Sequence, residues 1–152
     1  MLKYHAAMTR DDLLAFMRFE KYAVQASVSP TGTPQSAVVG IAISDDFEIF
    51  FDTLDTSRKA KNLRTNGAVA FVIGGTRDGD ERTVQYEGVA DEPTGADLER
   101  LLTLYFARFP EGRDRQSWPG CIYVRVKPAW IRYSNYNAQP PEIMEFGPGE
   151  LV

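Results

Sequence analysis

The sequence predicts a mainly β chain of the α+β kind, an antiparallel sheet of about seven strands curled into a barrel with three helices against it. Three observations carry this. Short apolar runs, several alternating with polar residues, recur along the chain; most are joined by turns rich in Gly, Pro and Asp; and only three segments repeat at helical spacing.

The elements follow in order. Thr9 and Asp12 form a variant capping box before Leu13, Leu14, Phe16 and Met17, so a helix is expected from about Arg10 to Glu20. Tyr22 to Ser29 alternates, with Val24, Ala26 and Val28 on one face, and Pro30-Thr31-Gly32-Thr33 turns it into a second strand from Gln35 to Ile43. Ser44-Asp45-Asp46 is another turn, before a strand from Phe47 to Thr53. After a helix starting near Ser57, Ala68 to Ile73 reads as a central strand, and the Gly74–Asp80 loop leads into a long strand from Arg82 to Ala90. Thr94 and Asp97 cap a third helix whose Leu98, Leu101, Leu102, Tyr105, Phe106 and Phe109 make an apolar stripe for the core or a dimer contact. Two last strands are expected, Gly120 to Val126 and Trp130 to Tyr136, separated by Lys127-Pro128-Ala129. A Pro- and Gly-rich tail from Gln139 to Val152 is expected to be loosely ordered or draped over a neighbour.

Composition bounds the function. At 152 residues, 43% hydrophobic and 25% charged, the chain suits one domain spanning 1–152. A formal net charge of −4 argues against a nucleic-acid partner and makes the cations local sites rather than a general field. The one cysteine, Cys121, has no disulfide partner, and with His5 the one histidine, no zinc site can be built from soft ligands. No apolar run is long enough to span a membrane and the first residues lack a signal-peptide core, so a soluble, cytoplasmic protein is expected.

The most informative stretch is Phe51 to Leu63. A strand stops at Thr53, a polar loop follows, and the next helix carries Ser57, Arg58 and Lys59 in its first turn. Helix starts leave unpaired N–H groups and a partial positive charge, so two cations and two hydroxyls there suit a phosphate. Arg58 can grip a phosphate bidentately while Lys59 adds a point charge. The competing reading makes Arg58, Lys59, Lys61 and Arg64 a solvated basic face; Asn62, one turn beyond Arg58, either supports the site or is an exposed helix residue, and exposure is expected.

Thr53 with Ser57-Arg58-Lys59-Ala60, taken with the strand order, resembles the pyridoxamine 5′-phosphate oxidase-like superfamily of FMN-binding split barrels. Pro34-Gln35-Ser36, Phe50-Phe51-Asp52-Thr53, Asn66-Gly67-Ala68-Val69-Ala70 and Val84-Gln85-Tyr86-Glu87-Gly88-Val89-Ala90 resemble further family segments in the same order. The resemblance implies a split barrel of six to seven strands, a homodimer with flavin between subunits, and a small FMN-dependent oxidoreductase. Thr53, Ser57, Arg58 and Lys59 would hold the FMN phosphate and ribityl chain. Main-chain groups around Ser36, Ala37 and Val38 would meet the flavin ring, and Thr83 or Gln85 its polar edge from the same chain or its partner. The family's C-terminal Arg-x-His is absent; Trp130-Ile131-Arg132 stands in the comparable strand, Trp130 as a packing residue and Arg132 and Tyr136 within a ligand's reach. Vitamin B6 oxidation is therefore not expected. No side chain stands out as an acid or base, which suits chemistry done by a flavin, and no catalytic residue is assigned. Relatives of the barrel also use a deazaflavin or haem, and a non-catalytic flavin-binding or stress-related module is a further alternative.

Overall fold

Thr9 begins the first helix as its neighbours require. Its hydroxyl accepts from the Asp12 N–H at 3.1 Å while its own N–H donates to the Asp12 carboxylate at 3.0 Å, starting α1 (Arg10–Phe19). Leu13, Leu14, Phe16 and Met17 are its buried face, and Asp11 and Asp12 sit against its positive end. The computed structural model describes residues 8–151, so His5 lies outside the described residues.

The strands are β1 (Tyr22–Val28), β2 (Pro34–Gly40), β3 (Ala42–Ile43), β4 (Ile49–Leu54), β5 (Ala68–Gly74), β6 (Arg82–Asp91), β7 (Cys121–Asn135) and β8 (Glu142–Phe146). Helix α2 (Arg58–Thr65) joins β4 to β5, and α3 (Gly95–Arg108) and α4 (Gly112–Arg115) join β6 to β7. Every pairing is antiparallel, in the order β2-β1-β5-β6-β7-β4-β3, with β8 on β7. The path has two free ends. No ladder joins β2 to β4, so the barrel is split rather than closed.

Several expectations are corrected. The second strand ends at Gly40; Ile41 is buried and its N–H donates back to the Lys21 carbonyl, which starts β3 as a separate strand. Thr94 makes no side-chain cap, and α4 has too short a pattern to be read from sequence. Lys127-Pro128-Ala129 does not divide two strands but lies inside β7. One edge of β7 pairs with β4 up to Val126 and with β8 from Ile131, so Pro128 falls where that edge has no partner and its missing N–H matters least. On the other edge the register shifts between Glu87 and Gly88, and the backbones approach so closely that a Cβ on Gly88 would meet the Lys127 carbonyl. The tail is not loose through its length: β8 completes the sheet, and Phe146 and Leu151 are buried in the core.

Two apolar clusters fill the molecule. The larger joins α1 to the inside of the barrel through Leu13, Met17, Phe51, Phe71, Ile73 and Val126. The smaller seats the α3 stripe, Leu101, Leu102, Tyr105, Phe106 and Phe109, on Ala42 and Phe50, so the stripe serves the core. Buried Glu48 accepts from the Ser44 hydroxyl at 2.9 Å and from Arg100 of α3 at 3.0 Å. Tyr86 is fully buried, and its hydroxyl donates to the carbonyls of Phe47 (2.8 Å) and Val126 (3.0 Å), tying the turn before β4 to β7. Burial pushes its ionisation well above the usual tyrosine range, so it remains a donor. Tyr86→Phe should lower stability by about 1–3 kcal/mol, read as a lower urea midpoint with an unchanged slope.

Candidate functional site

Helix α2 starts differently from α1. Ser57 is its N-cap, with its hydroxyl accepting from the Ala60 N–H at 3.2 Å and lying 3.1 Å from the Thr53 hydroxyl. The N–H groups of Arg58 and Lys59 lie in the first turn, where no intrahelical acceptor exists. That turn holds no acidic residue, unlike the first turn of α1. Two cations therefore crowd the positive end of a helix dipole, an arrangement an anion relieves. Partial burial already pushes the Lys59 ammonium below the usual lysine range. Arg64 is engaged elsewhere, in a two-pronged pair with Glu92 at 2.8 and 2.9 Å, whereas Arg58 and Lys59 make no ion pair among the described residues.

The facing wall comes from β1 and β2. The alternation of β1 runs opposite to what its apolar residues suggest: Val24 is exposed, while Ala23, Gln25 and Ser27 turn inward and are buried. Gln25 pairs across to Ala37 and Ser27 to Gln35, so these four share the inner face. Asn62 crosses from α2 to this wall, its amide donating to the Ser27 hydroxyl at 3.1 Å and the Gln35 side-chain oxygen at 2.9 Å. The expectation of an exposed Asn62 is corrected: it is 3% exposed, and its two acceptors explain how an amide is buried there. Between the walls lies a cleft of about 110 Å³ lined by Gln25, Ser27, Gln35, Ser36, Ala37, Arg58 and Lys59. Ligand pockets usually span roughly 300–1,000 Å³. This cleft fits one polar end of a ligand, such as a phosphate.

The structure thus gathers Ser36, Ala37, Arg58 and Lys59, with Thr53 and Ser57 at the helix start. Val38, Thr83 and Gln85 stand apart. Val38 points out of the barrel, two-thirds exposed, in a row across the sheet with Val24, Val72, Gln85 and Arg132. Gln85 lies three strands from Val38, about 14 Å at ordinary strand spacing. Trp130 also stands on this outer face, where it and Gln85 line a shallow hollow with Val24, Ala26, Ala70 and Val72. Sequence reasoning missed Gln25, Ser27 and Gln35 as site residues, and named Asn62 but favoured exposure for it. The available signal was polar residues at alternate positions of a strand whose other face is apolar.

A family model, pyridoxamine 5′-phosphate oxidase, matches residues 9–135. The chain belongs to this family. Solved structures share its split-barrel fold. A heme binding protein from Mycobacterium smegmatis superposes with a TM-score of 0.82 at 11% identity, over 97% of this chain but 61% of its own length. A conserved protein from Mycobacterium tuberculosis does so at 0.72 and 22% identity, over 97% of both chains. A pyridoxamine 5′-phosphate oxidase-related, FMN binding protein from Nostoc punctiforme does so at 0.68 and 13% identity, over 95% of this chain and 92% of its own. No curated protein matches in sequence. No helix among the described residues is long and apolar enough to cross a membrane.

Asn62→Ala removes the amide that spans the cleft walls and leaves the buried Ser27 hydroxyl oxygen and the Gln35 side-chain oxygen without their donor. A loss of about 1–3 kcal/mol is expected, measured as a drop in the urea midpoint of the purified protein.

Proposed function

We propose that this chain is an FMN-binding homodimer and a small flavin-dependent oxidoreductase. The observation that carries the reading is the first turn of α2, where Arg58 and Lys59 stand at a helix N-terminus with no acidic residue and face a polar cleft. Arg58 and Lys59 would bind the phosphate by charge and hydrogen bonds, joined by the first-turn N–H groups. Thr53 and Ser57 would orient the neighbouring ribityl hydroxyls. Strand β2 ends the sheet path, so alternate main-chain groups at Ser36 to Val38 remain for the ring. Bound FMN would supply hydride or electron transfer at its ring, and the protein would supply position and hydrogen bonds. The acidic chain and its small cleft favour FMN over a deazaflavin with a longer acidic tail. Haem is named for two structural neighbours, but the sequence offers one histidine, His5, and the α2 start favours a phosphate.

The cleft admits only the polar end, so the ring needs a second wall. The outer face of β2, β1 and β5 offers one through self-pairing, since Val38, Val24 and Val72 are 67%, 40% and 45% exposed in adjoining strands. Thr83 and Gln85 would then reach the ring from the partner.

Two outcomes follow. The double variant Arg58→Ala, Lys59→Ala should bind FMN about a hundredfold more weakly, read by quenching of flavin fluorescence, with an apo-protein at least as heat-stable as the parent. Unchanged affinity would remove the phosphate assignment. Val72→Lys should convert a dimer to monomers by light scattering, and an unaltered mass would take the interface elsewhere.

A further inference from the structure

Gln25 is one of three side chains among the described residues with a buried polar atom that has no partner. It is 1% exposed on the inner face of β1, and its amide nitrogen is buried with no hydrogen-bond partner. Its neighbours on that face are satisfied: Ser27 and Gln35 both accept from Asn62. Most buried polar groups are paired, and leaving one unpaired destabilises a fold. A leucine at this position would occupy a similar volume without that penalty. The side chain also lines the cleft beside Arg58 and Lys59.

We propose that Gln25 is a ligand-binding residue whose amide N–H₂ donates to an oxygen of the phosphorylated end of the ligand held at α2. The inference rests on the phosphate reading of the cleft, but not on the rest of the ligand being a flavin. The terminal torsion of a glutamine side chain is broad, so the amide can turn toward the cleft without leaving a rotamer well. Asn62 is the positioning residue of the arrangement. It fixes Ser27 and Gln35 on the same wall, and neither pairs with the Gln25 amide, whose donor is left for the ligand. The wall thus contributes a neutral donor opposite two cations, which recognises an oxyanion or the ester oxygen and hydroxyls next to it.

The test pairs stability with binding. Gln25→Leu should raise the apo-protein's melting temperature, because an unpaired buried amide is gone, while weakening FMN about tenfold, as loss of one hydrogen bond to the ligand predicts. A structural role alone gives the opposite pattern, lower stability with unchanged affinity, and overturns the proposal. The Gln25 side-chain amide signal, identified by its loss in Gln25→Leu, is then followed in nitrogen–proton correlation spectra during titration of wild-type protein with FMN and separately with inorganic phosphate. A saturable shift with either probe supports the assignment. If phosphate shifts the signal while FMN neither binds nor shifts it, the flavin reading fails and the role of Gln25 stands. If FMN binds tightly yet the signal stays still and Gln25→Leu binds as well as wild type, the role of Gln25 is overturned and the flavin reading stands. Silence with both probes overturns both.

Discussion

Helix α2 starts with a charge problem that its own sequence does not solve. The N-terminal end of a helix carries partial positive charge, and here Arg58 and Lys59 add two full charges where α1 has two carboxylates. Self-repulsion of this kind persists only if the fold holds the helix in place, and the fold does so from two sides. Leu63 and Ala60 are buried against the sheet, and Asn62 is locked to Ser27 and Gln35 on the adjoining strands. The turn before the helix is held as well, by the Asp55 N–H donating to the Gly120 carbonyl at 2.8 Å. Gly120 sits at φ +77°, and a Cβ there would fall 2.5 Å from the Asp55 carboxylate, so that junction requires glycine.

The split of the barrel follows from the same region. Between β2 and β4 no ladder forms, and α2 lies beside the gap with its side chains reaching across to β1 and β2. At the cleft, β1 turns Gln25 and Ser27 inward and Val24 outward, and β2 turns Gln35 inward and Val38 outward, the reverse of strands that serve a closed core. Under the proposed function, the inner face would serve a polar ligand end and the outer face a second copy of the chain.

Much of the fold was legible because local rules and tertiary packing agree. Thr9 and Asp12 cap α1 as read, and the stripe from Leu98 to Phe109 packs as a helix face, since capping and the 3.6-residue period are local properties. The break at Gly40 and the passage of β7 through Pro128 were not legible, because each depends on which distant strand pairs beside it. In the site, Arg58, Lys59, Ser36 and Ala37 come together as their order along the chain suggested. Asn62 was misread because a polar helix residue looks exposed until its acceptors, 35 and 27 residues away, are known. Gln85 lies in a stretch that resembles a family segment and Thr83 just before it, yet both lie on the other face of the sheet, where a single chain's sequence cannot say what meets them.

The proposed role of the α2 start is to hold the phosphate of a flavin nucleotide. Calorimetric titration of the apo-protein with FMN and with riboflavin, which differ only in that phosphate, tests it most directly. FMN should bind at least about a hundredfold more tightly, the contribution of two charge-assisted contacts, and added inorganic phosphate should compete with it. Equal affinities for the two flavins would contradict it.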